Sequence, residues 1–160
     1  MADNTPDTTH PDDRQPTAAR LRKLPTRLMS LAAIHSDRLV NEALARADAR
    51  KWHYAVLATL EESGAVSQAE LSSRTGIYRS DMVAVVNELA ERRLVGRSPD
   101  PADRRRNVVT ITRQGRARLR RLDELLATAE DAVLAPLTVP EREQLTRLLA
   151  TLVDHHGRTM

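Results

Sequence analysis

The chain has 160 residues, room for one domain and a tail, with 41% apolar residues but only 2% aromatics and no Phe. Its core must therefore be built from Leu, Val, Ala, Ile and Met, a bias that favours helices over sheets. It has no cysteine, which excludes disulfides, thiolate metal sites, cysteine nucleophiles and thiol switches.

Charge is unevenly distributed. Residues 1–17 carry Asp3, Asp7, Asp12 and Asp13 against Arg14, a net −3, whereas the whole chain is +3. The remainder is thus +6, with much of the positive charge as arginine between Arg92 and Arg121. Charge of one sign gathered in this way points to an anionic partner, although a solvated face has the same composition. No apolar run is long enough to span a bilayer, and residues 1–17 lack the apolar stretch of a signal peptide, so the expectation is a cytoplasmic protein without a membrane partner.

In chain order, residues 1–17 are rich in Pro, Asp and Thr and predict a disordered tail that also contains His10. From Leu21, apolar residues recur at three- and four-residue spacing through Leu24, Leu28 and Leu31 towards Leu39 and Leu44. This predicts an amphipathic, seam-type helix within residues 18–48, which Pro25 either starts or kinks. A second helix is expected over about 49–62, with Trp52, Val56, Leu57 and Leu60 at its apolar positions. Ser67-Gln68-Ala69-Glu70 is a capping box opening a short helix, and Gly76 suits the left-handed turn that closes it. Another helix follows over about 79–92, burying Met82, Val85, Val86 and Leu89.

The period then changes. Residues 94–97 and 107–111 are β-rich, and the segment between them has turn chemistry, so two short strands form a hairpin with a basic tip. Thr112 can cap the next helix, whose Leu119, Leu122, Leu126, Ala129 and Val133 keep a helical rhythm until Pro136. A second capping box, Thr138-Val139-Pro140-Glu141, opens the last helix, where Leu145, Leu148, Leu149, Leu152 and Val153 form one stripe.

The predicted fold is mainly α with a small β-hairpin. It comprises a winged helix-turn-helix lobe over 49–112, flanked by an N-terminal dimerisation helix (18–48) and C-terminal dimerisation helices (113–156), with a tail at 157–160. A short helix, a glycine turn and a second helix can place that second helix in a major groove. The hairpin tip, Asp103-Arg104-Arg105-Arg106, lies where a wing meets DNA, and arginine suits both the narrow minor groove and phosphate. At the start of the 79–92 helix, Arg79 and Ser80 are placed to contact base edges or phosphates. Further along it, Val83 is positioned for a thymine methyl and Asn87 for adenine. Asp81 either accepts from cytosine N4 or caps the helix start.

The run Leu71-Ser-Ser-Arg-Thr-Gly-Ile77, with Arg79-Ser80, Leu94-Val95, Asp103-Arg104-Arg105, Val109-Thr110-Ile111-Thr112 and Gly115, resembles the MarR family of bacterial transcription regulators. The resemblance implies a homodimer whose first and last helices interlock, bound to pseudo-palindromic double-stranded DNA, usually as a repressor. It implies that Asp103 braces Arg105 for the minor groove. It also implies a small aromatic acid or phenol as effector, in a region that here carries His35, Arg38, Trp52, His53 and Tyr54. For those residues the alternative is structural, with Trp52 in the core and His53 satisfied by neighbours. The chain departs from the family pattern at Arg93, where many members have glycine, at Tyr78, where an acidic cap is common, and at Asp81 and Ala84, which often are Thr and a basic residue.

No cofactor or metal site is read. His155-His156 stand without other ligands at metal-binding spacing, and there is no phosphate loop, inward carboxylate pair or nucleophile with its base. Together with the resemblance, this implies a ligand-responsive DNA-binding regulator rather than an enzyme. The alternative is a helical protein-interaction module of the same fold that does not bind DNA.

Overall fold

The computed structural model describes residues 18–100, 103 and 107–157. The acidic tail expected over 1–17, the wing-tip residues Arg104, Arg105 and Arg106, and the last residues of the expected 157–160 tail lie outside them. The elements run α1 (Ala19–Arg22), α2 (Pro25–Ala45), α3 (Lys51–Ser63), β1 (Val66–Ser67), α4 (Gln68–Thr75), α5 (Arg79–Glu91), β2 (Val95–Pro99), β3 (Asn107–Ile111), α6 (Arg113–Val133) and α7 (Val139–Gly157). The chain divides into two compact units, one ending at His35 and the other beginning at Ser36.

Pro25 begins α2, which resolves the choice left by the sequence. Its fixed φ suits the first helical turn, where its missing N–H costs nothing. In the first unit Leu21, Leu24, Leu28, Met29, Leu31 and Ile34 are all exposed.

The second unit contains the core. Leu44, Val56, Leu57, Leu60, Leu71, Met82, Val86, Leu89, Val109 and Leu122 are the large side chains almost wholly removed from solvent. They come from α2, α3, α4, α5, α6 and the sheet, and join in one cluster. Each buried Leu or Val contributes roughly 1.5–3 kcal/mol relative to exposure, so this cluster stabilises the lobe without aromatic residues, as the composition requires.

The sheet has three antiparallel strands in the order β1-β3-β2, one more than the expected hairpin. Val66 and Ser67 pair with Val109 and Val108. A two-residue strand is too short to show alternation, and Ser67 carries a second role: its Oγ accepts the Glu70 N–H at 3.2 Å to cap α4. The other half of that capping box does not form, because the Glu70 carboxylate pairs with Arg74 one turn on. At α7 the reverse half forms. The Glu141 carboxylate accepts both the Thr138 N–H at 2.8 Å and its hydroxyl at 2.7 Å, which holds the Glu141 carboxyl below its ordinary pKa.

Geometry requires glycine at Gly76 and at Gly115. Gly76 ends α4 in the left-handed region, at φ 70°, as its place in the turn predicts. Gly115 is needed for closeness: a Cβ there would lie 2.1 Å from the Leu94 carbonyl oxygen. That contact seats the first turn of α6 against the start of β2, and Thr112 completes the joint by accepting the Gly115 N–H at 2.9 Å and donating to Arg93 O at 2.8 Å. Arg93 itself has φ 58°, which accounts for the glycine common at this position in the family it resembles.

Candidate nucleic-acid interface

Helix α5 is two-faced. Met82, Val85, Val86 and Leu89 are buried, whereas Arg79, Ser80, Val83, Ala84 and Asn87 are exposed. These five exposed residues follow helical spacing and so share one face. All five were singled out from the sequence. Asp81, the sixth, is partly buried in the first turn. Tyr78 occupies the cap position and makes no side-chain capping bond, and no capping hydrogen bond from Asp81 is present among the described residues. The carboxylate instead complements the positive end of the helix dipole.

The strands lie beside this face. β2 and β3 pair in register from Val95↔Ile111 to Pro99↔Asn107. Asp103, between them in sequence, is exposed; Arg104, Arg105 and Arg106 are outside the described residues. Between α5 and the sheet runs an open groove of about 430 Å³ lined by Gln68, Val83, Asn87, Arg97, Asn107 and Val109. Across it the Arg97 guanidinium donates to Asn87 Oδ1 at 2.5 Å. The sequence reading did not single out Arg97. Its signal was a lone cation at an outward position of a strand otherwise made of small and apolar residues.

Of the five residues expected to face an effector, the four within the second unit do not converge. His35 belongs to the first unit. Arg38 pairs with Glu42 one turn along α2, at 3.5 Å. Trp52, expected in the core on the structural alternative, is 44% exposed. It lies at a groove of about 540 Å³ with Asn41, Ala45, Ala49, Arg50 and Lys51. The five-residue gap between α2 and α3 places the first turn of α3 at the rim of the lobe, so its leading indole has no core to enter. Tyr54 points to α6, where its hydroxyl donates to Asp123 at 2.9 Å. Burial first, and that bond second, raise the Tyr54 pKa.

His53 is buried, at 3% exposure, and is satisfied by its neighbours. Its Nδ1 accepts the Arg50 N–H at 3.2 Å, which leaves the proton of the neutral ring on Nε2. Nε2 then donates to the Glu88 carboxylate at 2.9 Å. Burial lowers the His53 pKa; the Glu88 bond opposes this and the Arg50 charge adds to it. Arg50 also pairs directly with Glu88. These two bonds, Arg50 foremost, hold the Glu88 carboxyl below its ordinary range. The first turn of α3 is thereby tied to the inner flank of α5. Arg92, just past α5, adds a tie to Asp48, at 3.0 Å to the carboxylate and 2.6 Å to the carbonyl. Sequence reasoning missed Arg50, Glu88 and Arg92, because these partnerships bridge residues 35 or more apart. The one available signal was Glu88, a carboxylate set directly against the Val85-Val86-Leu89 stripe.

Among the described residues no helix is long and apolar enough to cross a membrane, and no group of three or more His, Asp or Glu is placed to hold a metal ion.

Comparison with known proteins places these features in a family. The MarR family model matches residues 44–106. The HTH-type transcriptional repressor NicR of Pseudomonas putida is 32% identical over 101 residues, covering 63% of this chain and 64% of that protein. The chain thus matches slightly less than two thirds of that relative's length. The solved structure of the transcriptional repressor CouR bound to a 23-mer DNA duplex superposes with a TM-score of 0.77 at 29% identity, over 84% of this chain and 96% of that one. BpsR of Bordetella bronchiseptica, solved in work on the regulation of its DNA binding by 6-hydroxynicotinic acid, superposes with a TM-score of 0.75 at 25% identity. It covers 82% of this chain and 94% of its own.

Proposed function

The chain belongs to the MarR family, and from that premise we propose that it is a ligand-responsive transcriptional repressor that binds a pseudo-palindromic operator as a homodimer. The observation that carries this reading is the exposed face of α5. Arg79, Ser80, Val83, Ala84 and Asn87 stand together on a helix backed by a rigid core and flanked by a two-stranded wing. A helix so mounted suits a major groove, with the first-turn Arg79 at phosphates or base edges. Asp103, Arg104, Arg105 and Arg106 form the wing tip of this proposal, with Arg105 in the flanking minor groove. No step of this function calls for catalysis.

Dimerisation is supported by apolar surface that one chain leaves uncovered. Leu21, Leu24, Leu28 and Leu31 near the N-terminus, and Leu148, Leu149 and Leu152 in α7, are each at least 40% exposed. A second copy that covers them gives the paired lobes a fixed separation, which a two-fold operator requires.

The effector we propose is a small aromatic acid or phenol. The groove beside Trp52 is lined by that exposed indole and by Arg50 and Lys51, so a ring can lie against the indole while its carboxylate competes with Glu88 and Asp37, the present partners of those cations. His35, Arg38, His53 and Tyr54 do not line this groove. Such a ligand releases DNA only by binding the non-operator spacing of the lobes more tightly than the operator spacing.

The test is a gel shift on DNA from upstream of the protein's own gene, with wild type and Arg105→Ala. The expected result is binding by wild type and a loss of at least tenfold in the variant. Undiminished binding by Arg105→Ala removes the wing from the mechanism. Absence of binding by wild type, together with a stable dimer, favours a protein-interaction module.

A further inference from the structure

The sequence suggests adenine for Asn87, since a free carboxamide both accepts from adenine N6 and donates to N7. The structure does not leave this carboxamide free. The Arg97 guanidinium lies 2.5 Å from Oδ1. Arginine has donors only, so the oxygen must face it and the amino group must face away. The positive charge beside Oδ1 also repels a further amino donor such as adenine N6. What the pair offers across the groove is a surface of donors: the Asn87 Nδ2 hydrogens and the remaining guanidinium N–H groups. Val83 and Gln68 line the same groove, and neither adds a charged acceptor. Among the bases, guanine alone presents two acceptors, O6 and N7, and no donor of its own in the major groove.

We propose that Asn87 and Arg97 act as one guanine-reading unit, with Asn87 meeting the base and Arg97 as the positioning residue that fixes the carboxamide. This rests on the DNA-binding reading above, and it adds a base identity and a role for a strand residue. It also makes the wing part of sequence readout in the major groove. The hairpin sets the orientation of a side chain on the helix, so a change in strand position alters which base the helix selects.

The experiment begins with selection of duplexes from a randomised pool by the wild-type full-length protein. Fluorescence anisotropy then measures affinity for the selected duplex with each base pair substituted in turn. One G·C pair per half-site is expected to show about tenfold discrimination, the size of one good two-acceptor contact. Asn87→Ala and Arg97→Met should each abolish discrimination at that same pair, and the double variant should lose no more than either alone. Arg97→Lys, which keeps a donor and a charge, should retain part of it. Both side chains are exposed, and thermal unfolding of each variant verifies that the lobe is intact. The proposal is overturned if Arg97→Met keeps the discrimination and weakens all duplexes equally with a shallower salt dependence, since Arg97 is then a phosphate contact. It is equally overturned if the discriminated pair is A·T. Failure of wild type to enrich any duplex is a different result, and it removes the DNA-binding reading itself.

Discussion

The lobe from α3 to α6 and the final helix α7 are built from similar residues and reach opposite outcomes. In the lobe, helices and sheet close on one another and bury Leu57, Leu60, Val86, Leu89 and Leu122 completely. In α7 no residue is buried, although Leu148, Leu149, Leu152 and Val153 repeat at helical spacing. The lobe is thus self-sufficient, whereas α7 carries apolar surface whose stabilising value is realised only against another surface. Two stripes of this kind on one chain are more than a monomer of this size needs, and the comparison separates what folds the protein from what pairs it.

The largest expected effect breaks the pairing. Leu148→Glu with Leu152→Glu should weaken self-association at least 100-fold by sedimentation, since each places a charge in an apolar interface. The unfolding midpoint of the lobe within the full-length variant should barely move. Next, Leu57→Ala should destabilise the lobe by about 2–5 kcal/mol in urea unfolding, as a fully buried leucine leaves a cavity. If the first change unfolds the chain and the second only dissociates it, the division between the regions is wrong.

A smaller effect concerns the junction of α3 with α5. The His53 pKa is lowered by burial, so the unfolded chain binds the proton more readily. Stability from this source is complete above the ordinary imidazole value of 6.5 and is lost as pH falls below it towards the folded value. His53→Gln should flatten that slope in thermal unfolding below pH 6.5; an unchanged slope assigns it elsewhere. The smallest effect is a gain. Arg93 sits at φ 58°, so Arg93→Gly should stabilise the lobe by up to about 1 kcal/mol, and a loss of stability there would mean the arginine makes a contact that offsets its strain.

Features that rest on local chemistry were legible in the sequence. Ser67 and Thr112 cap their helices, Gly76 turns left-handed, and the exposed face of α5 follows from the spacing of Met82, Val85, Val86 and Leu89. What escaped depends on distant partners or on short segments. β1 is only two residues long and exists because β3 offers it an edge. The pairing of Arg50 and His53 with Glu88 joins two helices across the lobe. Trp52 reads as core by type and position, yet lies at the rim because α2 and α3 part before it. Arg97 gains its meaning only from the helix opposite.

The central claim is that two copies of this chain present their α5 helices to one duplex. Sedimentation of the full-length protein with a selected operator duplex, repeated from about 50 to 200 mM salt, tests it most directly. The account predicts two protomers per duplex and an affinity that falls by about 10³-fold or more over that range as counterions are released. One protomer per duplex, or binding indifferent to salt, would contradict it.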